Sequence, residues 1–365
     1  HVLTEDTPNA RAAVVFKDEV EKNSDGRIAI NIRPAAQLGG DVEIIEQTQM
    51  GLVHIAIPPT GNLANFNEQM YLFDLPFLLS DDAAMKRVLD GEVGTELLGT
   101  LGKNNLHGIA MWGAGFRNMT NNIRPISSPD DLSGIKMRTL QAPTILATNR
   151  AYGANPTAMA YVEVYNGLQQ GVVEGQENPL ANIASMKFYE VQDYMTLTRH
   201  AYHTYAAVMN KQAWDSLPED LQTVISDAMI VGRDAARIFT DEDETKIIDM
   251  IKDQIEIQEL SPEGKAAFVE ASQPIYDEFR DKVTPALMDK AIATAKGESR
   301  WITGSASREW VHRLRAQSDA VMIGSGTALA DDPVLSARLG GRVVHRPIRV
   351  LVDSQLRVSP KSKLY

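Results

Sequence analysis

From Ser216 to about Ile255 the chain carries helical periodicity almost without a breaker. It opens on Ser216 and Glu219, spaced as a capping box around Pro218. Few globular helices are that long, so this one is expected to be a spine that touches more than one lobe. The length of 365 residues points the same way, because single cores rarely serve more than about 200.

Ahead of the spine, helical and strand-like stretches alternate. Residues 11 to 22 put Ala12, Val15, Phe16 and Val20 on one stripe, and an Asp25-Gly26 turn leads to the strand-like "RIAINI" at 27 to 32. Asp41 reads as an N-cap for a helix that Gly51 closes, followed by "LVHIAI" at 52 to 57. A second block offers strands at 108 to 120, 134 to 140 and 171 to 176, with helices near 144 to 152 and 161 to 170. Such alternation predicts a mostly parallel sheet flanked by helices. Beyond the spine, one helix begins at Ser261-Pro262 and another spans about 267 to 281. Near residue 288 the texture turns basic and rich in Gly and Ser, which marks a boundary; "AVMIG" at 320 to 324 reads as a short buried strand.

Composition narrows the chemistry. A net charge of -12 disfavours nucleic acid and anionic membrane surfaces, which are gripped mainly by clustered Lys and Arg. No apolar run approaches the ~20 residues of a membrane span. The absence of cysteine removes disulfides, thiol catalysis and cysteine-ligated metals. His1 is not an initiator residue, so the start reads as processed or cut, with no secretory signal in view. There is no HExxH motif and no Gly-x-Ser-x-Gly elbow, and the "GAG" at 113 to 115 and "GSG" at 324 to 326 are incomplete dinucleotide fingerprints. His200 and His203, in a strand-like context, should point to opposite faces and not share a metal. Residues 1 to 287 therefore give little support to enzyme chemistry, and no cofactor is expected.

Arg138 stands out. In "IKMRTL" Ile135 and Met137 fill one face while Lys136 and Arg138 take the other, near the C-terminal end of a strand, where open α/β sheets bind ligands. Read from the residues alone it is either a structural ion-pair residue or a guanidinium fork offered to a carboxylate. Arg117 in "GFRNMTNN" has the same two readings. The stretch "VVEGQENPL" (172 to 180) crowds Gln176, Glu177, Asn178 and Pro179 into what looks like a polar turn at a strand end.

Together "RPAAQLGGDVEIIEQTQMG", "LFDLPFLL", "GFRNMTN", "LSGIKMR", "VYNGLQQGVVEGQENPLANI", "KFYEVQDYMTLTRH" and "SLPEDLQ" resemble, in this order, the extracytoplasmic solute-binding proteins of TRAP transporters over about residues 1 to 287. The resemblance implies an α/β, two-lobed Venus flytrap with a long spine helix. Lobe I would cover about 1–117 and 206–235, lobe II about 118–205 and 236–287. It also implies a monomeric periplasmic protein that captures a small organic acid and passes it to an ion-gradient-driven membrane permease. By the family's pattern Arg138 holds the ligand carboxylate with help from Asn178, Gln176 and Glu177 face the cleft, Arg117 and Gln141 are secondary contacts, and Trp112 supplies an apolar wall. Sialate-binding members place a glutamate and an arginine where this chain has Pro59 and Asn62. A sugar acid such as a uronate or aldonate is therefore favoured over sialic acid, with C4-dicarboxylates or other carboxylates as the alternative. Members usually have a first strand ahead of the segment matching His1; without it one lobe's sheet would be incomplete.

From about 288, "AIATAKGESRWITG", "VHRLRAQSDAVMIGSGTALADDPVLSAR" and "RPIRVLVDSQLRVSP" resemble the first part of the reductase domain of the riboflavin-biosynthesis deaminase-reductase. Its substrate contacts map to Trp301, Arg315, Thr327, Asp331 and Arg338. An NADPH reductase needs later strands and a glycine-rich turn, and Tyr365 comes before either. The tail is thus expected to be an incomplete α/β fragment of a fusion or chimera, with "AVMIG" and "IRVLVD" lacking partners.

Overall fold

The computed structural model describes residues 1–297 and, beyond them, 319–324, 337–339, 342–345, 347–352 and 359. The chain forms two compact units, His1–Ser299 and Arg300–Tyr365. In the first, seven strands build one sheet: β1 (Ile55–Ala56), β2 (Leu106–Asn121), β3 (Lys136–Thr139), β4 (Asn155–Ala158), β5 (Gly175–Pro179), β6 (Tyr194–Asn210) and β7 (Glu256–Glu259). Their order is β1-β6-β2-β5-β3-β4, with β7 also paired to β6.

The sheet is mixed, which corrects the expectation of a mostly parallel one. Strands β2 and β6 are long and run antiparallel to each other, and β2 is also antiparallel to β5. Only β3 with β4 and β5, and β6 with β7, pair in parallel. The β2–β6 ladder loses register between Gly113 and Phe116 and again between Arg117 and Met119. Gly115 at φ 90° and Arg199 at φ 45° supply the left-handed backbone those breaks need. Each long strand therefore bends part-way along, and the two ends serve different lobes.

Several local expectations shift. "RIAINI" is extended but unpaired, and "LVHIAI" contributes only Ile55 and Ala56 to the sheet. The third strand of the second block begins at Gly175, so Gln176, Glu177 and Asn178 form a buried strand, not a polar turn. Gly40, not Asp41, is the N-cap of the helix Asp41–Gln49. The capping box at Ser216 does not form: its hydroxyl donates to the Ala213 carbonyl, and Pro218 caps the spine. Ser261 does cap its helix, accepting from the Gly264 N–H. The helix expected over 267 to 281 is broken at Ser272, after which Gln273–Val283 starts afresh around Pro274, which cannot donate an interior helical hydrogen bond.

The spine, Glu219–Ile251, buries Leu221, Ile225, Ala228, Met229, Gly232, Ala236 and Thr240, a three-and-four spacing that keeps one face inward. At Gly232 a Cβ would come 2.9 Å from the Trp112 ring and 3.1 Å from Phe16 Cβ. Trp112 is fully buried and cannot retreat. Gly232→Val is therefore expected to destabilise the unit by about 2–3 kcal/mol through overpacking, read as a lower midpoint in urea with an unchanged slope.

The helix Pro285–Ala295 buries Leu287, Met288, Ala291 and Ala295, and Lys290 pairs with Glu96 at 2.9 Å and Glu92 at 3.2 Å. The texture change near 288 thus falls inside a helix packed on the first unit. In the second unit, β8 (Ala320–Gly324) pairs in parallel with β11 (Ile348–Val352), and β9 (Ala337–Leu339) pairs with β10 (Arg342–His345). "AVMIG" and "IRVLVD" are each other's partners, which corrects the expectation that they lack them. Arg338 lies on β9; Trp301, Arg315, Thr327 and Asp331 lie outside the described residues.

Candidate functional site

Where β2 and β6 bend, the polar residues of β2, β3, β5 and β6 converge. Arg138, Arg117 and Asn178 line one crevice together with Asp41, Pro59 and Tyr205. Its volume of about 20 Å³ is that of roughly one water, so admitting an organic acid requires the lobes to part. A larger cavity of about 530 Å³ lies between residues 28–33 and 52–57, but it is apolar-walled and gathers none of these cations.

Arg138 is 2% exposed. Its Nε and Nη2 both donate to the Met159 carbonyl, at 3.0 and 2.7 Å, which fixes the plane of the guanidinium. No carboxylate lies within ion-pair distance of it among the described residues, and Nη1 has no protein partner. Burial, and then the neighbouring Arg117 charge, lower its pKa to about 10, so it remains a cation at neutral pH.

Arg117 is committed differently. Its Nε donates to Glu177 Oε2, its Nη2 donates to Glu177 Oε1 at 2.7 Å and to the Glu177 carbonyl at 2.5 Å, and its Nη1 meets His203 Nδ1 at 2.7 Å. Because Arg117 can only donate, His203 Nδ1 accepts, and the ring proton sits on Nε2, facing Tyr205 Oη at 3.0 Å. Burial, then the charges of Arg117 and Arg138, hold His203 well below the usual histidine range, so it is neutral. His200 Nε2 meets the same Glu177 carboxylate at 3.3 Å. Both histidines thus abut one ion pair, which corrects the expectation of opposite faces: the register break and the left-handed Arg199 interrupt strand alternation between them. No group of side chains among the described residues is disposed to hold a metal ion.

Asn178 is fixed by neighbours on both sides, donating to Gln176 Oε1 at 2.6 Å and accepting from Asn182 Nδ2 at 3.4 Å. Gln176 in turn donates to Thr120 Oγ1 at 2.9 Å. One Asn178 N–H remains available at the crevice. Asn62 is buried beside it on the short helix Thr60–Leu63, with Oδ1 unpartnered, but Pro59 and not Asn62 reaches the lining.

Two expected contacts are elsewhere. Trp112 is wedged between the spine and Phe16, a core residue and not a cleft wall. Gln141 is exposed, and only its carbonyl is engaged, by Asn65. Conversely, Asp41, His203, Tyr205 and Tyr161 line the crevice without having been singled out. Asp41 sits at the first turn of its helix, and its role as a helix-start residue masked it. Burial raises its carboxyl to about 7 against the opposing charges of the chain's amino terminus and Arg138.

Comparison with known proteins agrees with this geometry. Residues 1–282 match the model of the bacterial extracellular solute-binding proteins, family 7, and residues 288–365 match the RibD C-terminal domain. The C4-dicarboxylate-binding periplasmic protein DctP of Rhodobacter capsulatus is 37% identical over 286 residues, 78% of this chain and 86% of its own. The solved structure of a TRAP periplasmic solute-binding protein from Sulfurospirillum deleyianum with bound succinate superposes with a TM-score of 0.76 at 34% identity, covering 80% of this chain and 97% of that one. The sugar acid binding protein DctPAm from Advenella mimigardefordensis, in complex with galactonate, gives 0.77 at 33%, covering 82% and 97%. Such proteins are periplasmic, serve transport, and are not enzymes. No helix among the described residues is long and apolar enough to cross a membrane. Over residues 1–282 this chain belongs to the family 7 extracellular solute-binding proteins, the two-lobed TRAP transporter binding proteins, with a RibD C-terminal match appended.

Proposed function

We propose that residues 1–287 capture a small hydroxylated monocarboxylic acid, a uronate or aldonate, in the periplasm and deliver it to a TRAP-type permease. One observation carries the choice of ligand: Arg138 is a buried cation without a counter-charge, whereas Arg117 is already saturated by Glu177 and His203. The crevice therefore has one cation to offer, enough for one carboxylate. A second carboxylate would meet Asp41 with no cation left to pair it, at a cost of several kcal/mol in a dry site. Asn178, Asn182 and Tyr205 are suited to sugar hydroxyls. That relatives are described with galactonate and with succinate bound keeps both acid classes within the family's range. The lobes would part about the register breaks near Arg117, with the anion stabilising the closed form by its differential affinity.

Calorimetric titration with galactonate, glucuronate and succinate is the test. The sugar acids should bind at least tenfold more tightly; a tighter succinate would overturn the ligand class while leaving the transport role. Adding NADPH should shift neither the melting transition nor the intrinsic fluorescence, and a saturable change would favour the reductase reading of residues 288–365.

Asp41 makes the affinity depend on pH. As pH rises through about 7 its carboxyl ionises beside the crevice and opposes an incoming anion. Affinity should fall about three- to tenfold between pH 6 and pH 8, one pKa unit of coupling being a factor of ten. Asp41→Asn should bind with nearly the same affinity at both pH values.

A further inference from the structure

The cavity of about 530 Å³ lies outside the acid crevice and is bordered by consecutive residues, Ile28 through Arg33 on one side and Leu52 through Ile55 on the other. Side chains of a strand alternate between faces, so a border made of successive residues is made of backbone edges. Hydrogen bonds identify those edges. On the first border, Ile28 N–H donates to Ser24 Oγ at 3.2 Å and Ile30 N–H to Glu21 Oε1 at 2.9 Å, which turns the even residues to the first helix, Pro8–Asn23. The amides of Ala29 and Asn31 have no hydrogen-bond partner among the described residues. On the second border, Asn210 N–H donates to the His54 carbonyl at 2.9 Å and Ala206 N–H to that of Pro58 at 3.1 Å, so Ile55 and Ile57 turn their backbone away from β6. Two open edges therefore face each other across a floor that includes Phe16, Leu38, Ile44, Met209 and Ile225.

The start of the chain sets a direction. The His1 amino group donates to the Arg33 carbonyl at 3.2 Å, and Ala35 N–H donates to the Leu3 carbonyl at 2.8 Å. Residues 1–3 thus run parallel to 33–35, and His1 itself lines the groove.

We propose that this groove is a strand-binding slot: it takes an extended peptide with aliphatic side chains at alternate positions, lying parallel to residues 28–33 with its carboxyl end at His1. The peptide would satisfy Ala29 and Asn31 on one side and Ile55 and Ile57 on the other, and its aliphatic side chains would cover the floor. This is β-augmentation, in which backbone hydrogen bonds give affinity and alternate pockets give selectivity. Unlike an edge open to one side only, the slot offers two ladders at once.

The test adds an acetylated peptide of about seven residues, valine alternating with threonine or lysine, to the whole chain as it stands. At about 100 times its Kd the peptide should raise the melting temperature by about 5 °C, saturably. The same sequence N-methylated at every second residue loses one ladder's donors and should give no shift. Ile30→Asp should weaken peptide binding at least tenfold while the chain still titrates with galactonate. No shift with the parent peptide, an equal shift with the N-methylated one, or a concentration-dependent dimer of the chain that excludes the peptide would each overturn the assignment.

Discussion

Arg138→Ala is expected to lower affinity for the cognate acid by about 30-fold to several thousandfold, the equivalent of about 2–5 kcal/mol, because the ligand's carboxylate would enter a nearly dry crevice with nothing of opposite charge to meet it. Arg138→Lys should recover little. The guanidinium is held by two donations to the Met159 carbonyl, which leave a planar fork aimed at the crevice, and an ammonium on a flexible stem cannot reproduce that. Stability should move the other way. A buried cation without a carboxylate partner is a cost to the unliganded fold, so Arg138→Ala should melt at or above the parent temperature without ligand while losing the ligand-induced rise. Salt should weaken parent binding only mildly, since a buried pair is poorly screened. A folded Arg138→Ala variant that titrates like the parent would remove this arginine from the carboxylate site.

What the sequence made legible follows the range of the forces involved. The spine helix was readable because its apolar spacing persists over many turns, and Ser261-Pro262 because capping is decided within four residues. The direction of β2 and β6 was not readable, since strand polarity is settled by partners remote in sequence; a helix-strand alternation suggested a parallel sheet where two long strands instead run antiparallel. The same limit hid the burial of Gln176, Glu177 and Asn178. Three polar residues in a row look like a loop until Thr120, Arg117 and Asn182 are brought in to satisfy them. Within the crevice, Arg138 and Asn178 were marked by strand position and resemblance. Trp112 was misplaced because an aromatic residue on a strand gives no sign of which face is filled by Gly232 of a distant helix. Asp41 was overlooked because its local role explained it fully.

Glu177→Ala should have the largest effect on the fold itself. Arg117 and Glu177 are 1% and 0% exposed, and removing the carboxylate strands a buried guanidinium, a loss of about 3–5 kcal/mol. Arg117→Ala combined with Glu177→Ala should be less damaging than the two single losses added together, because the double variant leaves no orphan charge. Burial alone would push the Glu177 carboxyl up; the Arg117 charge and the hydrogen bonds from His200 and Arg117 outweigh it and hold it at about 2. A carboxyl depressed in the folded state adds stability that is complete above its unfolded pKa, near 4.5, and is lost as pH falls towards 2. Parent stability should therefore decline across that window, and Glu177→Gln, which keeps the shape without the titration, should decline less. The same variant tests the charge count at the site. Freed of its counter-ion, Arg117 gives the crevice a second cation, so Glu177→Gln should shift preference towards succinate relative to galactonate. An unchanged ratio in paired titrations would mean that Arg117 does not face the ligand, and that the preference for a single carboxylate has another origin.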